Sequence, residues 1–278
     1  MKTLGYYNGR FDEADKMMIP MNDRVCYFGD GVYDAGPCRN YRIFAIDEHI
    51  DRFFRNAGLL KIQLPCNKAE FKQLICDLVK KLDSGDLFVY YQVTRGTGMR
   101  AHEFTDGPGN LWVMIKPAPA PQLAEKIRLI TLEDTRFFHC NIKTLNLIPS
   151  VMASQQALEA GCQEVVFHRG DRVTECAHSN CHIIKGGTLI TAPLDNLILP
   201  GIARAHIIRM CENLGIPVDE RPFTLAELMD ADEVLVSSSS KFCLSACEVD
   251  GRPVGGRAAQ LLGRLQSALE EEFLTETR

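Results

Sequence analysis

Asn141-Ile142-Lys143-Thr144-Leu145-Asn146, with the helix-start signal Pro149-Ser150 just beyond it, is the stretch around which the chain is organised. Lys143 lies between Ile142 and Leu145, with few charged neighbours in sequence to hydrate it. Partial burial of such a lysine favours the neutral, nucleophilic amine over the ammonium, and that is the form a Schiff base requires. On these six residues alone a surface lysine on a turn is the more ordinary reading. The weight comes from what surrounds them.

Downstream, Ser150 is the expected N-cap of a helix that closes at Gly161. Residues 163–168, the turn Arg169-Gly170-Asp171-Arg172 and the strand Val173-Thr174-Glu175 read as a hairpin delivering Glu175. An acid at a strand end is either simply exposed or, beside a pyridine ring, the group that keeps the ring nitrogen protonated. Strands over 181–184 and 188–191 flank Gly186-Gly187. Leu199-Pro200-Gly201-Ile202-Ala203 opens a helix running to about Gly215, whose free amides near Ile202 form a ready anion site. The strand Glu233-Val234-Leu235-Val236 ends in four hydroxyls, Ser237 to Ser240, which are either a solvated loop or part of a phosphate cup. A last helix, from about Ala258 to Phe273, presents Leu261, Leu262, Leu265, Leu269 and Phe273 as its packing stripe.

Upstream, residues 1–21 read as short strands and turns, with Asn8-Gly9 as the first hairpin signal. In Tyr27-Phe28-Gly29-Asp30-Gly31-Val32-Tyr33-Asp34 two glycines spaced by an aspartate predict a tight backbone path into a strand. The pattern lacks the Lys-Ser/Thr ending of a phosphate loop and the third glycine of a dinucleotide fingerprint. Tyr33 reads as a half-buried strand aromatic. Ile46, Ile50, Phe53 and Ala57 recur at helical spacing behind a cap candidate at Asp47, and Arg52 on that helix is either solvated or grips a phosphate. A second helix over 68–82 buries Phe71, Leu74, Ile75, Leu78 and Val79. The strand Leu87 to Thr94 runs into a glycine-rich loop carrying Arg95, Arg100 and His102, a carboxylate clamp or merely solvated charge. After a strand over 111–115, Pro117, Pro119 and Pro121 make a stiff connector. The expected organisation is a small N-terminal α/β domain over 1–116, a linker over 117–121 and a larger domain over 122–278.

The chain has 278 residues, 46% hydrophobic and 24% charged, enough for two packed domains. A net charge of −5 argues against a polyanion partner, so no nucleic acid is expected. Among eleven cysteines the closest pairs are Cys176 with Cys181 and Cys243 with Cys247, so C-x-x-C spacing is absent. Free thiols in a reducing cytoplasm, and no metal, are the expectation. Residues 1–10 lack an apolar core, and no uncharged run approaches the ~20 residues of a membrane span. A cytoplasmic protein without a membrane partner is expected.

Together an isolated lysine, a later glutamate, a glycine helix start and a serine cluster resemble the fold-type IV pyridoxal-phosphate aminotransferases. The resemblance runs nearly end to end and is nearest the D-amino-acid aminotransferase branch. It rests on Phe28-Gly29-Asp30-Gly31-Val32-Tyr33, Glu48-His49-Ile50-Asp51-Arg52, Gln92-Val93-Thr94-Arg95-Gly96-Thr97, Ile142-Lys143-Thr144-Leu145-Asn146-Leu147 and Val173-Thr174-Glu175. It implies an α+β, two-domain enzyme whose larger C-terminal domain is a pseudo-barrel. The implied cofactor is pyridoxal 5'-phosphate, with Lys143 carrying it, Glu175 facing the pyridine nitrogen, and Arg52, Ile202, Ser238 and Ser239 holding the phosphate. Leu199 would pack against the ring.

By the same resemblance Tyr33, Arg100 and His102 trap the substrate α-carboxylate, the arginine and histidine coming from the partner in a homodimer. The implied reaction is ping-pong transamination of D-amino acids with 2-oxo acids, of the D-alanine plus 2-oxoglutarate type. An aminodeoxychorismate-lyase type of elimination and a branched-chain L-aminotransferase are the alternatives within the fold. Two departures stand out. Ala203 replaces a hydroxyl residue after the helix-start isoleucine, a phosphate hydrogen bond worth ~1–3 kcal/mol, which predicts weaker cofactor binding. Cys176-Ala177-His178 replaces small serines after the glutamate and alters the pocket wall.

Overall fold

The computed structural model describes residues 1–119 and 123–278. The chain divides into two compact units, one of Met1–Ala120 with Ile142–Asn146 and Phe273–Arg278, the other of Pro121–Asn141 with Leu147–Glu272. Of the expected linker, Pro117 closes a strand, while Ala120 and Pro121 lie outside the described residues.

The first unit is built on an antiparallel sheet whose six strands, among the described residues, run in the order Arg10–Asp12, Leu4–Tyr7, Asn110–Pro117, Leu87–Thr94, Gly31–Arg39 and Arg42–Ile43. Asn8 and Gly9, both at positive φ, make the first hairpin's two-residue turn, as their sequence predicts. Alternation along Leu87–Thr94 places Leu87, Val89, Tyr91 and Val93 in the core. Tyr91 packs edge-on against Phe53 and Phe71, which come from two helices of this unit, with ring centroids 5.0 and 4.9 Å away. Truncating any of these rings to alanine would cost roughly 3–5 kcal/mol.

Those helices span Ile46–Leu59 and Lys68–Val79. Ala45, in a left-handed conformation, caps the first, so Asp47 falls inside its first turn rather than at the cap, where its charge still complements the helix dipole. The second starts at Asn67, which forms a reciprocal capping box with Glu70. A short helix not expected from the sequence, Arg24–Phe28, is capped by Asp23 and ends at left-handed Gly29.

The second unit carries a mixed sheet in the order Val218–Glu220, Thr188–Thr191, Asn180–Lys185, Glu233–Ser237, Leu244–Val249, Lys126–Glu133, Glu164–Arg169 and Arg172–Cys176, with Arg252–Pro253 paired to Leu244–Val249. Its cores gather Val173, Cys176, Cys181, Ile183, Val234 and Val236 on one side. Ile184, Leu189, Ile207, Cys211, Leu235, Leu262, Leu265 and Leu269 gather in another cluster. The helix after Lys143 spans Ile148–Glu159 and is capped by Leu147, so Ser150 lies in the first turn, not at the N-cap. Pro149 explains the earlier start, because its fixed φ suits the first helical turn and its missing N–H costs nothing there. Gly161 follows this helix at φ +71, the left-handed position predicted for it. The helix Ala259–Glu276 contributes residues up to Glu272 to this unit. The eleven cysteines form no disulfide, and among the described residues no helix is long and apolar enough to cross a membrane.

Candidate active site

The Lys143 segment is held by the start of the strand Gly31–Arg39. The Tyr33 amide donates to the Lys143 carbonyl at 3.0 Å and the Leu145 amide donates to the Gly31 carbonyl at 3.1 Å. Asn146 Nδ2 donates to the Gly29 carbonyl at 3.1 Å. Only glycine fits at position 31, because a Cβ there would lie 2.6 Å from Leu145 Cδ1 and 2.6 Å from the Val93 carbonyl oxygen. Ile142 packs into the first unit's core. The half-buried Lys143 therefore leaves a fixed backbone, and its Nζ sits 4.3 Å from the centre of the Tyr33 ring. Tyr33 in turn stacks on Tyr90 at 5.4 Å, and Tyr90 donates its hydroxyl proton to Gln92 Oε1 at 2.6 Å.

Strand alternation sends the next side chain, Asp34, to the opposite face, where it is fully buried. Arg52 Nε and Nη2 donate to its two oxygens at 2.8 Å each, and His49 Nδ1 lies 2.8 Å from Oδ1. Arg52 is itself buried, which removes the solvated-face reading of that residue. Burial would raise the Asp34 carboxyl, but the Arg52 charge and then His49 outweigh it and hold it far below the usual carboxylate range. Burial pushes the other way on His49 and lowers it; Arg52 and Lys143 add to that, against the pull of Asp34.

Arg100 and His102 are exposed on the loop that follows the strand Leu87–Thr94. They meet at Phe28: the Arg100 guanidinium lies 5.2 Å from its ring centre and the His102 ring 5.2 Å from it. Arg24 ties the loop down by donating to the carbonyls of Ala101 at 2.7 Å and Glu103 at 3.0 Å, and it pairs with Asp30 at 2.8 Å. Arg95 pairs with the same Asp30 oxygen. Neither Arg100 nor His102 has a hydrogen bond, ion pair or ring contact with Lys143 or Tyr33 among the described residues.

In the second unit Glu175 is buried at the end of the strand Arg172–Cys176. Its carboxylate accepts from Arg136 Nη1, from Asn180 Nδ2 at 2.9 Å and from the Leu199 amide at 3.0 Å, which brings Glu175 and Leu199 together. Burial alone would lower Arg136, but its bonds to Asp134 and the charges of Glu175 and Asp134 hold it above the ordinary arginine range. Asn180 also donates to the Leu199 carbonyl at 3.0 Å. Beside it, Gly201 is the N-cap of the helix Ile202–Asn213 and no side chain caps that helix start. A Cβ at Gly201 would lie 2.1 Å from Asn180 Oδ1. Ser238 and Ser239 enter the turn after the strand Glu233–Ser237, where the Ser238 carbonyl accepts from the Lys241 and Phe242 amides at 3.1 and 2.7 Å.

Asp34, Arg136 and Asn180 complete these networks and carry no motif in the sequence. A lone charge in the apolar strand Gly31-Val32-Tyr33-Asp34-Ala35 was the available signal for the first.

The Amino-transferase class IV family model matches residues 31–249, and the chain belongs to that family. It is 34% identical to the D-alanine aminotransferase of Bacillus licheniformis, over 100% of this chain and 99% of that protein. It is 37% identical to the D-alanine aminotransferase of Listeria monocytogenes serotype 4b, over 99% of this chain and 96% of that one. In fold it is similar to the T.th. branched-chain amino acid aminotransferase solved with pyridoxamine 5'-phosphate, with a TM-score of 0.90 at 22% identity over 99% of this chain and 95% of that one. The Escherichia coli branched-chain enzyme is alike, with a TM-score of 0.89 at 22% identity over 100% of this chain and 96% of that one.

Proposed function

We propose that the chain is a pyridoxal 5'-phosphate-dependent aminotransferase that moves the amino group of a D-amino acid to a 2-oxo acid by a ping-pong route, with D-alanine and 2-oxoglutarate as the model pair. The observation that carries this reading is the Lys143 amine, fixed by a backbone ladder and set over the Tyr33 ring, in a chain that matches D-alanine aminotransferases from end to end.

The donor set fits the cofactor. Uncapped amides begin the helix Ile202–Asn213 behind a glycine with no room for a side chain, which suits a phosphate, and the buried Glu175 carboxylate suits a protonated ring nitrogen. When bound, the cofactor supplies an electron sink for charge developing at the substrate Cα. Lys143 would hold the cofactor through Nζ, and that amine, fixed over the Tyr33 ring, would take the proton from the substrate Cα and return one. Glu175 would keep the ring nitrogen protonated, and Arg136, Asn180 and the Leu199 amide keep the carboxylate in place for it. Arg52, Ile202, Ser238 and Ser239 would hold the phosphate, and Leu199 would pack on the ring. Asp34 fixes the Arg52 fork from below.

Tyr33, Arg100 and His102 bind the α-carboxylate and so fix which face of Cα meets Lys143. Arg100 and His102 act from the partner subunit of a cytoplasmic homodimer, which accords with their exposure and, among the described residues, with their having no hydrogen bond, ion pair or ring contact with Tyr33. The test is to supply D-alanine and 2-oxoglutarate and resolve the products by chiral chromatography. Pyruvate with D-glutamate supports the reading; L-glutamate, or pyruvate formed without any glutamate, overturns it.

A further inference from the structure

Glu164, at the start of the strand Glu164–Arg169, buries its carboxylate completely. Lys241 Nζ donates to Oε2 at 2.9 Å, Ser179 Oγ donates to the same oxygen at 3.0 Å, and His178 Nδ1 lies 2.5 Å from it. Its other oxygen accepts from the Val165 amide at 3.0 Å. Lys241 closes the Ser238–Lys241 turn, and its amide also donates to Ser238 Oγ at 3.2 Å. The chain leaves that turn through Phe242 at φ +50, a conformation costly for an aromatic residue unless its surroundings impose it. At the turn's other end Ser237 Oγ is 2.8 Å from the buried His182 Nε2. A carboxylate this deep is tolerated only while it is paired, so a swing of the turn would withdraw the Lys241 ammonium from it and leave its compensation to His178, Ser179 and the Val165 amide. Burial would raise the Glu164 carboxyl, yet His178 and Lys241 outweigh it and bring it down to about 2.

We infer that Glu164 is a positioning residue: through Lys241 it sets the Ser238–Lys241 turn so that Ser238 and Ser239 are presented to a phosphate group. This rests on the reading of that turn as part of the cofactor's phosphate site. It gives His178, one of the residues that depart from the family pattern, a place as a partner of Glu164, and it separates two contributions to cofactor binding. The turn serves the phosphate, whereas Lys143 and Glu175 serve the ring.

The experiment titrates the full-length apoprotein with pyridoxal 5'-phosphate and, separately, with pyridoxal, which lacks the phosphate, following visible absorbance. Both Lys241→Met and Glu164→Gln should weaken the phosphorylated ligand by about tenfold and leave pyridoxal unchanged, with Lys241→Arg restoring most of the loss. Equal weakening of both ligands, or of neither, would overturn the inference. Loss confined to Lys241→Met would also overturn it, because that pattern belongs to a lysine touching the phosphate itself. A wild-type chain that binds neither ligand would overturn the functional reading and this inference with it, an outcome the wild-type control reveals on its own.

Discussion

Lys143 Nζ lies 4.3 Å from the centre of the Tyr33 ring, and the two residues are joined again by the bond from the Tyr33 amide to the Lys143 carbonyl. The Tyr33 ring and backbone both engage Lys143, while the tyrosine hydroxyl has no hydrogen bond among the described residues and is the part proposed to meet the substrate carboxylate. Tyr33→Phe keeps the ring, so cofactor capture should stay within about twofold of wild type. Loss of the hydroxyl's bond to a carboxylate, worth about 1.5–3 kcal/mol, should lower kcat/KM for D-alanine roughly ten- to hundredfold. Steady-state kinetics on holoenzyme checks this; an unchanged kcat/KM would remove Tyr33 from the substrate site.

Asp34 and Arg52 form a buried bidentate pair, so removing the carboxylate takes two charge-assisted bonds from a buried guanidinium and the ion pair from His49. Asp34→Ala should lower unfolding free energy by roughly 3–5 kcal/mol. The urea midpoint is the readout, and a shift equivalent to less than about 1 kcal/mol would mean the Arg52 charge is satisfied elsewhere.

At Gly201 the constraint is steric. Gly201→Ala pushes a methyl group against Asn180 Oδ1, and Asn180 cannot yield without releasing Glu175 and the Leu199 carbonyl. A loss of about 1–3 kcal/mol in stability is expected, with reduced D-alanine turnover as Glu175 loses its brace. Thermal melting and initial rates measured together test this; full activity would show that the amide has another resting position.

His182 is buried between Thr191 Oγ1 and Ser237 Oγ, and burial, reinforced by Arg204, lowers it from 6.5 to about 3. The folded state keeps it neutral while the unfolded chain takes up a proton below pH 6.5, so its contribution to stability is present above that pH and is lost on acidification towards pH 3. Between those limits it contributes a slope of about 1.4 kcal/mol per pH unit. Denaturant unfolding across this window should show a slope one proton smaller in His182→Gln than in wild type.

Much of the fold is legible because it depends on local chemistry. The alternating strand Leu87–Thr94, the Asn8-Gly9 turn and the Gly161 helix stop follow from side-chain period and from backbone positions that favour glycine or asparagine. The helix after Lys143 starts two residues before Ser150 because Pro149, not a capping side chain, organises its first turn. The Arg24–Phe28 helix is too short to show a hydrophobic period, and Asp23 capping is its only local mark. Site chemistry was legible as residue types but not as partners. Asp34 and Arg52 stand 18 residues apart on a strand and a helix, and Arg136 and Glu175 stand 39 apart; only the folding of each unit brings its pair into contact.

The most direct test of the central claim is the absorbance spectrum of purified, cofactor-loaded protein before and after adding D-alanine or L-alanine in separate cuvettes. The account predicts a visible band that D-alanine bleaches, that L-alanine leaves, that pyruvate restores, and that is missing from Lys143→Ala. A band bleached by L-alanine instead, or one that persists in Lys143→Ala, would contradict it.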